Sequence, residues 1–302
     1  MELHQLQILR ELGALGSVTA VADALHVTPS AVSQQLAALQ RGVRTPLTRR
    51  HGRTLALTAA GRVLAEAGAE ALDAMAAARG ALDAFEQDSA GVVTVSGFHS
   101  AGQALFGALL RDLAGSDDSP TVQLTDEDVA QSEFPALTAR YDLVLAHRME
   151  HSEPWPSQGV RSLTLVREPL DVAVAASHPL AARRAVTPAD VAGERWVTSR
   201  IGYSPDDVLR AIAAVANIAP RVQHRVNDYA TVAATIAAGD AVGMLPRYTS
   251  RSVDDREIVR IPLLGVSTHR LIDVLARPET LRRRSVRLVV DGLERVMSRL
   301  SG

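Results

Sequence analysis

The 302-residue chain contains no cysteine and no lysine. Without cysteine there is no disulfide, no thiol chemistry and no cysteine-ligated metal. The missing lysines, beside abundant alanine, speak of base composition and say little about mechanism. No charged-then-apolar leader and no apolar run of about 18 residues occurs, so a soluble, cytoplasmic chain with no membrane partner is expected. Enzyme signatures are missing as well: there is no P-loop, no Gly-x-Ser-x-Gly elbow and no His-Glu-x-x-His pair. The nine histidines are scattered. His147 and His151 stand four apart, but Glu153-Pro154-Trp155-Pro156 reads as loop. No catalytic residue, cofactor or metal is therefore expected.

Acid and base nearly balance, with 32 arginines against 34 acids and a formal net charge of -2. The distribution is uneven. In residues 1–62 seven arginines stand against Glu2, Glu11 and Asp23, a local balance of +4. Arg41, Arg44, Arg49, Arg50, Arg53 and Arg62 follow one another with no acid between them. By itself such a run reads as a solvated face. What precedes it favours phosphate contact instead.

Leu3, Leu6, Leu9 and Leu12, with Ile8 and Leu15, give a first helix that Gly16 stops. Thr19 is expected to cap a short second helix over Ala20 to Leu25, with His26-Val27 as the turn. Thr28 followed by Pro29 reads as an N-cap with proline at the first helical position. In that third helix Val32, Leu36, Leu39 and Val43 share one face, while Ser30, Ser33, Gln34, Ala37 and Arg41 share another. One face packs and the other offers small hydrogen-bonding groups, which suits a DNA major groove. This is a helix-turn-helix with a recognition helix. Leu47 to Arg50 and Thr54 to Leu57 flank His51-Gly52 as a small arginine-tipped wing.

At this point the chain resembles the LysR-type transcriptional regulators. The resemblance rests on Gly-Ser-Val-Thr-Ala-Val-Ala-Asp-Ala-Leu-His at 16–26, Pro-Ser-Ala-Val-Ser-Gln-Gln-Leu at 29–36, Thr45-Pro46-Leu47 and Leu57-Thr58-Ala59-Ala60-Gly61. The remainder is similar in layout and in a few motifs. Two departures occur. Where the family has Leu-Glu, an acid, then Val-Gly or Leu-Gly, this chain has Leu39-Gln40-Arg41-Gly42-Val43-Arg44; the family's Leu-Phe-Glu-Arg or Leu-Leu-Glu-Arg becomes Leu47-Thr48-Arg49-Arg50. Both add positive charge. The resemblance implies contact with double-stranded promoter DNA by Thr28, Pro29, Ser30, Ser33, Gln34 and Gln35 on the helix and by Arg49, Arg50 and Arg53 on the wing.

Thr58 is expected to cap a long helix to about Gln87, broken by Gln87-Asp88-Ser89-Ala90-Gly91. Leu64, Ala71, Ala78 and Phe85 recur every seven residues, with Gly68, Met75 and Leu82 four later in each heptad. Such a seam either meets a partner helix or packs on its own domain. The resemblance implies the former: a linker helix pairing two subunits, with two dimers joining as a homotetramer.

Beyond it, strands and helices alternate, so the body is α/β. Strands are expected at Val92 to Ser96, Val122 to Leu124, Leu143 to Ala146, Leu163 to Val166, Leu170 to Ala175, Arg195 to Thr198, Arg221 to Val226, Ala241 to Leu245, Ile258 to Ile261 and Leu271 to Ala276. Helices are expected at Gln103 to Leu113, Asp206 to Ala216, Tyr229 to Ala238 and Arg284 to Leu300. The layout resembles the periplasmic-binding-protein-like effector domain of the family. The expected division is a winged helix-turn-helix over 1–58, a linker helix over 59–88 and an effector domain over 91–302. Within the last, one subdomain takes about 91–166 and 268–302 and the other about 167–267, with crossing strands near Val166 to Leu170 and Val266 to Leu271.

The resemblance also implies an effector cleft lined by His99, Ser100, Gln103, His147, Thr198 and Ser199. Taken singly, Ser100 reads equally as a helix cap, His147 as a loop or surface residue and Arg200 as a solvated arginine. Hydroxyl and N–H donors with few carboxylates would suit a small polar or anionic effector. Two rival readings remain: a non-specific chromosome-organising protein, which would not need an α/β body with a cleft, and an α/β binding or catalytic protein with a vestigial helix-turn-helix.

Overall fold

The structure is a computed structural model that describes residues 1–51, 54–86, 91–114, 119–156, 159–250 and 256–302, with the side chains of these except at 51 and 83–86. Helices α1 (Leu3–Leu15), α2 (Val18–Ala24) and α3 (Pro29–Arg41) and a wing of β1 (Thr48–His51) and β2 (Thr54–Leu57) form the head. Ile8, Leu9, Leu12, Val21, Val32, Leu36, Leu39, Leu47 and Leu57 share its core. Gly16 ends α1 with φ +66°, a conformation that costs glycine least. Thr28 Oγ1 accepts from Ala31 N at 3.2 Å, as Thr28-Pro29 implies. The second helix starts earlier than expected: Ser17, not Thr19, is its cap, accepting from Ala20 N, because Val18 belongs to the helix.

The departures after Leu39 have a local explanation. The Gln40 amide donates to Val43 O and Thr45 O at 3.0 and 3.1 Å, and its oxygen accepts from Leu47 N at 2.8 Å. A carboxylate has no donor for those two carbonyls. Helix α3 ends at Arg41, and Val43 packs on the head core from the loop beyond it.

Helix α4 (Ala59–Glu86) starts at Thr58, whose hydroxyl accepts from Gly61 N at 3.0 Å and donates to Pro46 O at 2.7 Å. A Cβ on Gly61 would stand 2.0 Å from Leu47 O, so only glycine allows this approach. The heptad seam divides. Leu64 packs on the head core and Gly68 lies against Leu6, whereas Ala71, Met75, Ala78 and Leu82 are at least partly exposed. The Phe85 side chain and the break at 87–90 lie outside the described residues.

The body is one sheet in the order β4-β3-β5-β11-β6-β9-β7-β8, with β10 paired to β6. Its strands are β3 (Val92–Gly97), β4 (Thr121–Asp126), β5 (Leu143–Met149), β6 (Arg161–Ala175), β7 (Arg195–Thr198), β8 (Arg221–Arg225), β9 (Val242–Pro246), β10 (Ile258–Ile261) and β11 (His269–Ala276). The two segments expected at 163–166 and 170–175 are one strand: β6 pairs β11 from Arg161 to Pro169, then β9 and β10 from Leu170 to Ala175. β6 thus runs from one half of the body into the other, and β11 brings the chain back.

Helices α5 (His99–Ala101) and α6 (Gly107–Leu113) flank a π segment, Gly102–Phe106. Then come α7 (Phe134–Leu137), α8 (Pro188–Val191), α9 (Ser204–Ala216), α10 (Tyr229–Ala237) and α11 (Arg284–Ser301). One half has a core of Val93, Val95, Leu105, Leu109, Leu145, Val274, Val289 and Leu293 among others. The other half has cores on both sheet faces, around Trp196, Val208 and Met244 and around Val197, Val232 and Ile236. No helix among the described residues is long and apolar enough to cross a membrane.

Candidate DNA-reading head and effector cleft

On α3 the faces separate as the spacing requires. Val32 and Leu39 are fully buried, while Thr28, Pro29, Ser30, Ser33, Gln34 and Ala37 are exposed. The Ser33 hydroxyl donates to Pro29 O at 3.0 Å and keeps its lone pairs outward. Gln35 does not share that row. Its Oε1 accepts from Gln5 Nε2 at 3.2 Å and lies 2.8 Å from His4 Nε2, so it ties α3 to α1. Arg49 and Arg50 are exposed on β1, and Arg53 lies outside the described residues. The head therefore presents a row of small polar groups beside a cationic edge, with packing confined to the other side.

The second site lies between the halves of the body. Glu168 on β6 and Arg270 on β11 are cross-strand partners, 0% and 1% exposed, with the guanidinium 2.9 Å from the carboxylate. Glu168 also accepts from Tyr248 N and Thr249 N, both at 2.7 Å. Arg270 donates to Thr249 Oγ1 at 2.8 Å and to Ser100 Oγ at 3.4 Å, and its guanidinium lies over the Phe98 and Tyr229 rings. Burial opposes its charge, but Glu168 and Tyr229 together outweigh that and its pKa is raised. Above this pair is a cavity of about 30 Å³ lined by Phe98, His99, Ser100, His147, Ser199 and Arg270, among others. One or two water-sized groups fill that volume.

His147 corrects its single-residue reading. It is not a loop residue but sits in β5, 3% exposed, with Phe98, Phe134 and Tyr203 rings around it and Ser204 Oγ 3.1 Å from Nδ1. Burial, helped by the Arg270 charge, lowers its pKa to about 3 and keeps it neutral. Five of the ten aromatic residues gather here: Phe98, Phe134, Trp155, Tyr203 and Tyr229.

Across the mouth the halves are latched. Asp128 accepts from Arg200 Nη2 at 2.8 Å and from Asn227 Nδ2 at 3.1 Å, and its carbonyl from the Tyr203 hydroxyl at 3.2 Å. Arg200 is thus paired rather than solvated alone. His99 reaches Asp126 at 2.8 Å and Asp228 at 3.0 Å. Its hydrogen bond to Asp126, against some desolvation and with help from Asp228, raises its pKa.

Of the six expected cleft residues, His99, Ser100, His147 and Ser199 line the cavity. Gln103 is exposed and bonds His99 at 3.0 Å. Thr198 is buried at the end of β7, with no hydrogen-bond partner for Oγ1 among the described residues. The expectation of few carboxylates fails, because Asp126, Asp128 and Asp228 all reach the mouth. Arg270 and Glu168 were missed too, although each lies within one of the two segments expected to cross between the halves, a position that itself marks the cleft wall.

Residues 3–62 match the bacterial regulatory helix-turn-helix protein model of the lysR family, and residues 86–298 match the LysR substrate binding domain. The chain belongs to the LysR family. It is 25% identical over 274 residues to the uncharacterized HTH-type transcriptional regulator YybE of Bacillus subtilis, covering 91% of each protein. It is 30% identical to the small neutral protease regulatory protein of Streptomyces coelicolor, over 86% of this chain and 78% of the relative. A full-length OxyR variant from Pseudomonas aeruginosa has the same fold, with a TM-score of 0.68, 17% identity and coverage of 97% and 98%. As a LysR-family member this chain is a DNA-binding transcriptional regulator with an effector-binding domain.

Proposed function

We propose that α3 reads base edges of promoter DNA through Ser30, Ser33 and Gln34, while Arg49, Arg50 and Arg53 hold the wing to phosphates. The observation that carries this reading is the exposed row Thr28, Ser30, Ser33, Gln34 beside exposed arginines in a segment without acids. Thr28 and Pro29 set the helix start where the backbone approaches. Gln35 serves the fold of the head rather than the bases. Ala71, Met75, Ala78 and Leu82 offer an accessible stripe for a second copy, so that a homodimer, and two dimers as a tetramer, engage paired half-sites. The protein works where that DNA is, in the cytoplasm.

The effector is a small polar molecule that binds between the halves against Ser100, Ser199, His147 and Arg270. Small-molecule pockets measure roughly 300 Å³ or more, about ten times this cavity, so binding is accompanied by a wider cleft and competes with the Asp128 and His99 latches. An anion is favoured no longer, since three carboxylates face the mouth. The effector acts only through its different affinity for the two arrangements. The chain is no enzyme on this reading: the hydroxyl that meets His147 is that of the buried Ser204, which is not part of the cavity wall, and a histidine with pKa about 3 is a feeble proton acceptor.

The test is titration of the full chain onto its own upstream DNA and onto random DNA over a range of salt. A specificity ratio above roughly 10³ supports the regulator. A ratio near one supports the chromosome-organising reading, and no binding to either supports a vestigial head.

A further inference from the structure

The head is not simply tethered to the body. Glu11, on α1 of the head, is 1% exposed, an unusual position for a carboxylate unless it is paired. Its partners are Arg277, 8% exposed, whose two terminal nitrogens both meet the Glu11 carboxylate while its Nε donates to Thr138 O at 2.8 Å, and the neighbouring Arg10, whose Nη2 donates to Glu11 Oε1 at 3.2 Å. Next to this pair Arg10 meets Glu279 at 2.7 Å. Three residues further, Arg282 holds Asp73 of α4 through two 3.0 Å bonds, and a Cβ on Gly80 would stand 2.7 Å from Arg282 O. The short segment 277–282 thus grips both α1 and α4.

That segment is the direct continuation of β11, which also carries Arg270 in the wall of the cleft. The two arginines are joined by roughly 23 Å of extended chain. β11 is hydrogen-bonded to β5 on one side and β6 on the other, so it moves as part of the sheet rather than flexing residue by residue.

We propose that Glu11 and Arg277 form an intrachain clasp that fixes the orientation of the DNA-reading head, and that β11 links it to the effector cleft. A buried charge pair suits this role because shifting Arg277 takes away both of its bonds to the Glu11 carboxylate at once and leaves it only Arg10 of its own helix, a single 3.2 Å contact within the head that does nothing to hold the head to the body. The proposal rests on the effector reading above for what moves β11 in the cell, but not for the clasp itself.

The absence of cysteine makes the test clean, since two introduced thiols are the only labelling sites. Asp23→Cys on α2 and Arg111→Cys on α6, both exposed, carry a donor and an acceptor dye on the full chain. The single-molecule transfer efficiency should be one narrow distribution, which Glu11→Gln broadens and lowers. Glu11→Arg with Arg277→Glu should restore it, a rescue that a merely misfolded head would not give. Opening the cleft without any ligand, by Arg200→Ala, should shift the efficiency in the intact chain and have no effect when Arg277→Met is also present. An unchanged distribution in Glu11→Gln overturns the clasp. Equal shifts from Arg200→Ala with and without Arg277 overturn the link through β11. Neither outcome depends on an effector, so failure of the effector reading is seen separately in ligand titration.

Discussion

Removing Arg270 and removing Glu168 should cost the fold differently, and pH should tell them apart. Both are essentially without solvent contact. Glu168→Gln strands a guanidinium that cannot give up its proton. Breaking a buried pair in that way costs about 3–5 kcal/mol, at any pH. Arg270→Met strands a carboxylate that keeps Tyr248 N and Thr249 N at 2.7 Å and Thr249 Oγ1 at 3.2 Å. It also has an escape, because it can be protonated. For a carboxyl of ordinary pKa about 4.3, protonation costs about 3.7 kcal/mol at pH 7 and about 1.6 kcal/mol at pH 5.5. A carboxyl whose folded-state pKa is raised destabilises the fold above its unfolded pKa and not below it. The Arg270→Met penalty should therefore shrink between pH 7 and pH 5.5, by at most about 2 kcal/mol, while the Glu168→Gln penalty stays. Urea unfolding followed by tryptophan fluorescence reads both halves, since Trp196 is buried in one core and Trp155 packs against the other. Equal pH dependence of the two variants, each relative to the unsubstituted chain, would refute the reasoning.

Three further outcomes follow from single side chains. Arg50→Ala should weaken specific and random DNA about equally and reduce the salt slope by roughly one; an unchanged slope removes the wing from the interface. Met75→Glu, at a 43% exposed position in α4, should dissociate the proposed dimer. Light scattering showing a monomer for the unsubstituted chain at micromolar concentration would sink that prediction. His99, whose pKa is raised by Asp126 and Asp228, bridges the cleft while protonated. Its contribution is complete below the ordinary histidine pKa of about 6.5 and is lost as pH rises through the raised value, so small-angle scattering should report a wider body at alkaline pH. His99→Ala should abolish that change.

The head was legible almost residue by residue because its signals are local: an N-cap and proline at Thr28-Pro29, a glycine stop at Gly16, a 3.6-residue apolar period on α3. Where local signals compete, the reading slipped, as when Ser17 rather than Thr19 capped α2. Gln35 is a different case. Spacing places it beside Gln34, but only tertiary packing tells that α1 holds its amide. That His99, Ser100, His147 and Ser199 share one cavity was anticipated through the family resemblance. The Asp128 latch was not, because Asp128 and Asn227 are 99 residues apart and no periodicity joins them. A buried His147 likewise follows from the aromatic residues brought around it by distant strands.

Whether α3 reads sequence is tested most directly by Gln34→Ala. Fluorescence anisotropy of the full chain, with and without the substitution, should be measured on its preferred upstream site and on random DNA at one fixed salt concentration. A loss of about 1–3 kcal/mol on the preferred site and a clearly smaller loss on random DNA is the predicted result. Equal losses on both would place Gln34 at the backbone or in the fold of the head, and would contradict base reading by this face of α3.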